Sequence, residues 1–484
     1  MPSDSQTPQP QPRHRSLRRG DELVVTMEKV ADLGKCLAHH DDLVVFVPQT
    51  MVGETIRTRI VKRRKKYAEG QFIDLITPSP NRVKPKCQYF GNCGGCTLQH
   101  VDYSQQLIDK HQLVTETMQR IAELSDLTVL EPLGATNSYE YRNKMEFSFS
   151  AFRWLSNEEI ASGQTIDSSF ALGLHPPKVF YKILDIHQCH LQGDKSNAIV
   201  NGIRTFAQNL GWEPWNWRTE EGFLRHLVIR QSAYLPDLMV NIVTSSFKKN
   251  RMAQLESYLK EHHPYVTTLV NSINSTSAQT AFGERSETIY GTGFLRDQIG
   301  NLTFQIAPDA FFQTNTLQAE QLVQVVNKLA DVTSEDHVYD LYCGTGTIAL
   351  SLAQNAKHVT GIELIQEAIN NALNNSKIND INNCTFVSGD MLKLLKPEFI
   401  QLHGAPDIVI LDPPRAGMHP KVARQVATLN ARKIIYVSCN VRTQAKDLMV
   451  LSKSYKPVIA QPIDLFPQTH HIENIVLLER KNHE

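Results

Sequence analysis

Two residues in the last tenth of the chain have the types needed for covalent chemistry at a carbon centre. Cys439 follows the apolar run KIIYVSCN, and Glu473 stands in DLFPQTHHIENIVLLER, just before another apolar run. A thiolate is a strong nucleophile and a carboxylate accepts a proton, so the pair suits addition, deprotonation and elimination. Asp412 and Arg415 belong to IVILDPPRAG, where two prolines fix φ and stiffen the loop that carries the carboxylate. With Arg442 close in sequence as well, a cation is expected to lower the Cys439 pKa from about 8.5 and raise its thiolate fraction. The plainer alternative is a buried cysteine serving as a small hydrophobe.

Upstream lies a ligand crevice. The run HVYDLYCGTGT ends in Gly344-Thr345-Gly346 before a helix, and such glycines let a ligand approach backbone and helix N-terminus. Glu363 ends the next strand-like run, HVTGIE, where a carboxylate can bind a ribose diol, and Asp390 ends CTFVSGD within reach of an adenine edge. Alternatively, both acids only cap helices. A dinucleotide is disfavoured because the third glycine of G-x-G-x-x-G is missing: Thr347, Ile348 and Ala349 follow Gly346. S-adenosylmethionine has the ribose and adenine without the pyrophosphate, and is the favoured ligand. Amino-directed methyltransferases carry a comparable Asp-Pro-Pro with an aromatic next, where this chain has Arg415. A nucleophile, a base and a methyl donor are together what C5 of uracil requires. That carbon becomes nucleophilic only after a thiolate adds to C6, and its proton must then be removed before the thiol leaves.

The stretches CQYFGNCGGCTLQH, YRNKMEFS, FLRHLVIR, APDAFFQTN, DLYCGTGT, LDPPRAG, VSCN and HHIENIVLLER together resemble the RNA uracil-C5 methyltransferase family across nearly the whole chain. The resemblance makes Cys439 the nucleophile and Glu473 the proton acceptor. It places donor-binding positions at Gln313, Tyr342, Glu363 and Asp412, with Asp390 and Gly344 beside them. Arg415 and Phe311 would orient the substrate, and Phe312 is a further candidate wall for the base. Thr347 departs from the family, where many relatives carry Asn.

Cys87, Cys93 and Cys96 have the spacing C-x₅-C-x₂-C, and Cys189 is the candidate fourth ligand. Spacing alone leaves zinc and iron–sulfur open. The resemblance implies a [4Fe–4S] cluster with a structural or RNA-positioning role. A radical enzyme would need C-x₃-C-x₂-C, which is not this spacing.

These residues need elements to hold them. A polar tail, expected to be disordered, spans 1–16. Short alternating runs over 17–77 suggest a small antiparallel β-barrel, which resembles the RNA-binding TRAM domain. A mixed α+β region with the cysteines, expected to bind RNA, follows over 78–310, including a helix over 102–123 with Leu107, Val114, Met118 and Ile121 on one face. Residues 311–484 alternate strands and helices, starting with a helix over 317–332, and read as a doubly wound α/β methyltransferase domain. The 484 residues are 41% hydrophobic and 21% charged, which excludes global disorder, and no apolar run suits a bilayer span. Net charge is zero, yet residues 1–86 hold 16 Lys+Arg against 10 Asp+Glu. The run Lys62, Arg63, Arg64, Lys65 and Lys66 suits a phosphate backbone, although a solvated turn explains it equally well. Tyr67 beside it is a candidate for base stacking. The expectation is a cytoplasmic monomer acting on RNA, 23S rRNA before tRNA, with no membrane partner; the alternative of another class is a non-catalytic RNA-binding protein.

Overall fold

The computed structural model describes residues 17–31 and 34–481, so the tail expected at 1–16 lies outside the described residues. The chain divides into two compact units, up to Arg82 and from Val83 onward.

In the first unit, six strands between Glu22 and Thr77 form one sheet. Alternate residues point inward, so Val25, Ala38, Val45, Val47, Ile56, Ile60 and Ala68 form its core. The all-antiparallel expectation needs one correction: Leu43–Pro48 runs parallel to Tyr67–Thr77, starting at the pair Val44 and Tyr67. The long strand Thr55–Arg63 pairs with both Glu22–Thr26 and Tyr67–Thr77. The buried Glu54 carboxylate grips the Arg82 guanidinium through two bonds, at 2.5 and 2.7 Å, and fixes the start of the proline-rich linker.

The second unit holds two large sheets. The first has seven strands, in the order Leu184–Asp185, Ala171–Leu174, Lys144–Ser150, Leu224–Gln231, Leu238–Thr244, Thr268–Ile273, Arg285–Tyr290. It is antiparallel except where Leu238–Thr244 meets Thr268–Ile273. The other has eight, in the order Cys384–Ser388, His358–Glu363, His337–Leu341, Ile408–Leu411, Lys433–Ser438, Glu473–Arg480, Tyr455–Ile463, Thr128–Val129. Its first five strands are parallel, and Glu473–Arg480 is antiparallel to both neighbours.

Near-continuous apolar runs mark strands covered on both faces. Along them the residues alternate between two cores. Val338, Ile408 and Ile410 face helices Thr316–Ala330 and Thr347–Ala353, while Tyr339, Val409 and Leu411 face Tyr103–Arg120, Pro420–Thr428 and Val441–Leu451. This is the doubly wound arrangement expected. The helix read over 102–123 spans Tyr103–Arg120, capped by Asp102, with Val114 and Met118 buried and Leu107 and Ile121 half-buried. It also buries Lys110, whose ammonium pairs with the Asp464 carboxylate at 2.8 Å. The domain boundary expected at 310/311 does not coincide with a break between compact units, because Thr128–Val129 completes the eight-stranded sheet.

Candidate active site

Strand register explains how two residues far apart in sequence meet. Ser438 pairs with Asn474 at the end of the antiparallel ladder between Lys433–Ser438 and Glu473–Arg480. One step further puts Cys439 across from Glu473. On its other side Lys433–Ser438 runs parallel to Ile408–Leu411, with Leu411 beside Tyr436, so the following Asp412 reaches the same rim. This rim is the carboxyl end of the parallel strands, where such sheets bind ligands.

The loop after Cys439 is locked by its neighbours. The Asn440 side chain caps helix Val441–Leu451 by accepting from the Arg442 N–H at 3.2 Å. Its amide nitrogen donates to the Arg415 carbonyl at 3.0 Å, and the Thr443 hydroxyl donates to the same oxygen at 3.3 Å. Asn440 thus ties the proline loop to the cysteine segment. Asp447 anchors the far end of that loop, accepting from the Met418 N–H at 2.8 Å and the Tyr436 hydroxyl at 2.6 Å. Gly417 is required there: its φ is +79°, and a Cβ would lie 2.9 Å from the Asp447 carboxylate.

The electrostatics differ from the expectation for Cys439. Burial, then the charges of Glu473 and Asp412, push its thiol up to about 11; the Arg415 charge pulls the other way and is outweighed. Burial and then Asp412 raise Glu473 to about 8, and burial raises Asp412 to about 7. Glu473 is 4% exposed, whereas Cys439 and Asp412 are half-buried. The rim therefore gathers three acids that cannot all ionise cheaply.

The two loop glycines serve different ends. Gly344 has φ +53° and open space where a Cβ would be, which leaves room for a ligand. Gly346, at φ +85°, instead packs against Ala372 and Phe386, 3.1 and 3.3 Å from an added Cβ. Tyr342 also takes a left-handed conformation, φ 68°. The Glu363 carboxylate is held by its own turn, accepting from Leu364 and Ile365 N–H groups at 2.7 and 3.1 Å, and its second oxygen accepts from Gly344 at 3.3 Å. Asp390 caps the short helix Met391–Leu394 through the Leu392 N–H at 2.9 Å, so the capping alternative describes one of its oxygens.

Gln313 sits half-buried in a loop that two distant residues clamp. The Asn143 side chain donates to the Gln313 carbonyl and the Thr316 hydroxyl, each at 2.8 Å. The buried Arg230 guanidinium donates to the Ala310 carbonyl. Phe311 is 66% exposed, but Phe312 is 4% exposed and belongs to the core, so it is not a wall for a substrate. Sequence reasoning missed these clamps and also missed Asp340. That carboxylate is 1% exposed, and burial, then Asp412, raise its pKa well above the carboxylate range against the pull of the Ala349 N–H. Its place four residues before Gly344 was the available signal.

Cys87, Cys93, Cys96 and Cys189 line one cavity of about 660 Å³ and form no disulfide. Burial pushes up all four thiols, Cys93 to about 11, and the Cys87 and Cys189 charges reinforce the effect on Cys93 and Cys96. Among the described residues, no group of three or more His, Cys, Asp or Glu is arranged to hold a metal ion. In the first unit, Lys62 to Lys66 are all exposed around the tip between Thr55–Arg63 and Tyr67–Thr77, with the Lys62 ammonium on Glu69 at 2.8 Å. Among the described residues no helix is long and apolar enough to cross a membrane.

A tRNA (uracil-5-)-methyltransferase family model matches residues 289–481, and a TRAM domain model matches 17–73. An RNA methyltransferase of Bacteroides thetaiotaomicron, itself uncharacterized, is 40% identical over 92% of this chain and 99% of its own length. Another from Chlorobaculum tepidum is 39% identical over 96% and 97%. The structure of Pyrococcus abyssi tRNA (uracil-54, C5)-methyltransferase in complex with S-adenosyl-L-homocysteine matches with a TM-score of 0.72 at 26% identity, covering 94% of this chain and all of that one. Since the likeness runs through barrel, cysteine segment and crevice alike, the chain belongs to the RNA uracil-C5 methyltransferase family.

Proposed function

We propose that this enzyme methylates C5 of a uridine in RNA through a temporary bond between the Cys439 sulfur and C6 of the base. The observation that carries the reading is the register that sets Cys439 opposite Glu473 at the ligand-binding rim. S-adenosylmethionine, when bound, supplies the methyl electrophile and a positive charge that favours the thiolate. Gln313, Tyr342, Gly344, Glu363, Asp390 and Asp412 line its place, and the open space at Gly344 fits a ligand there. The Cys439 thiolate adds to C6 and moves electron density onto the ring, so that C5 takes the methyl group. The Glu473 carboxylate then removes the C5 proton. The C6–S bond breaks, the thiolate returns, and the C5–C6 double bond is restored. Arg415 and the exposed Phe311 orient the base, which must leave any stack to reach the sulfur.

The target of this reading is a uridine of 23S rRNA, supported by the cysteine cluster alongside the TRAM domain. A tRNA T-loop uridine is the second reading, favoured by the similarity to the Pyrococcus abyssi enzyme. Nucleoside analysis of RNA from a deletion strain separates them: ribothymidine missing from 23S rRNA supports the first, missing from tRNA the second. If 5-methylcytidine or N6-methyladenosine is missing instead, the chemistry is wrong. A monomer in the cytoplasm suits this activity.

Cys87, Cys93, Cys96 and Cys189 are proposed to hold a [4Fe–4S] cluster. Sulfurs around a single zinc stand about 4 Å apart, given Zn–S bonds of about 2.3 Å. A cluster binds each thiolate to a different iron and so spreads them, which suits four cysteines that line one cavity and interact through their charges. Protein prepared without oxygen is expected to carry about four irons per chain and to lose them in Cys96→Ala. One zinc per chain would refute this.

The exposed run Lys62–Lys66 is proposed to grip RNA phosphates. Replacing all five residues by Gln should weaken RNA binding and reduce the slope of log affinity against log salt by about 0.7 for each single-strand phosphate no longer neutralised. An unchanged slope would return the run to being a solvated turn.

A further inference from the structure

Loops joining strands of the seven-stranded sheet carry a row of aromatic rings that the chemistry above does not use. Phe180 and Tyr181 contact edge to face at 5.6 Å, Tyr181 meets Trp217 at 5.5 Å, and Trp217 meets Phe152 at 6.0 Å. The exposed Arg218 guanidinium lies 4.8 Å from the Phe152 ring centre and 5.4 Å from that of Trp217. Nearby, the Lys182 ammonium lies 5.7 Å from the Trp154 ring centre. Phe180 is 69% exposed and Tyr181 38%, side by side in one loop.

We infer that this row is a stacking platform for single-stranded RNA beside the target uridine. Exposed Phe180 and Tyr181, continued by the half-buried Trp217 and Phe152 and set next to guanidinium and ammonium groups, match a polymer of flat bases and anionic phosphates. An apolar protein partner would not need those cations. The position agrees. The loop starts at His175, whose carbonyl accepts from the Gly94 N–H of the cysteine segment at 3.0 Å. His175 also lines the cysteine cavity, as do Thr314, next to Gln313, and His471, two residues before Glu473. A strand laid on the rings therefore starts beside the wall of the cysteine cavity, whose lining reaches the sequence neighbours of Gln313 and Glu473. The inference rests on the RNA-methylating reading and adds the place where the RNA beside the target is held.

The test uses the full chain and a uridine-containing RNA oligonucleotide of about ten nucleotides. Phe180→Ala/Tyr181→Ala should weaken its binding by about ten-fold to a hundred-fold, since a base–aromatic stack is worth about 1–3 kcal/mol. The salt slope should be unchanged. Arg218→Ala should instead reduce that slope by about 0.7. Phe180→Tyr/Tyr181→Phe should restore affinity, which separates stacking from loss of fold, and RNA should quench tryptophan emission less in Trp217→Phe than in wild type. Unchanged affinity of the double alanine variant overturns the platform. So does a variant that binds RNA normally but loses self-association, which would make the rings a protein interface. Covalent capture of 5-fluorouridine RNA at saturating concentration is a separate readout. If wild type forms no adduct while the alanine variant still loses affinity, the methylation reading fails and the platform stands.

Discussion

Cys439→Ala is expected to lower methyl transfer by at least about 10⁴-fold, as removal of a covalent nucleophile does. The side chain is half-buried at the end of a strand, and its segment is held by Asn440 and Thr443, so the smaller residue leaves the rim in place. Binding of S-adenosylmethionine should persist. The sharper readout is RNA containing 5-fluorouracil. Fluorine at C5 cannot be removed as a proton, so wild-type enzyme should stall as a covalent adduct that survives denaturation and is absent in the variant. Turnover near the wild-type rate would make the cysteine a structural residue.

Glu473→Gln should still form the adduct and pass the methyl group, but resolve it about 10²- to 10⁴-fold more slowly, the usual contribution of a general base. Methylated RNA bound to protein should accumulate, and product release at the wild-type rate would contradict the assignment. The raised pKa adds two pH tests. As a base, Glu473 must be ionised, so adduct resolution should rise with pH and level off above about 8. Stability moves the other way. The folded protein holds this proton more tightly than the unfolded chain, whose value is about 4.5, so the residue's contribution falls as pH rises from there through about 8. Ligand-free Glu473→Gln should therefore melt at a higher temperature than wild type at pH 9 and at nearly the same temperature at pH 4.

Much of this site can be read from the sequence because its parts sit where local patterns end. Apolar runs announce the buried strands, and Glu363, Asp412 and Cys439 each stand at or just past the end of one. What sequence does not show is how far-apart segments pair. Nothing local in YRNK says that Asn143 will clamp a loop at Gln313, or that Arg230 will be buried against Ala310. The same blindness affects charge. Arg442 close to Cys439 in sequence suggests an activated thiol, but the net effect depends on Glu473, Asp412 and Arg415 arriving from elsewhere in the chain and on water being excluded. Phe311 and Phe312 are alike in sequence, and only the direction of each side chain makes one surface and the other core. The parallel pairing inside the barrel is likewise a matter of register, and alternation of apolar residues reports faces without strand direction.

The two residues Thr128–Val129, laid along the open edge of Tyr455–Ile463, reach further than their size. With helix Tyr103–Arg120, whose Lys110 is buried on Asp464, they make the catalytic half depend on chain made some two hundred residues earlier. A gene fragment beginning at residue 311 would yield a sheet with a raw margin and an orphaned carboxylate, prone to stick to its own copies. In recombination between relatives, the reaction centre is expected to work only when it travels with the helix and short strand over 103–129.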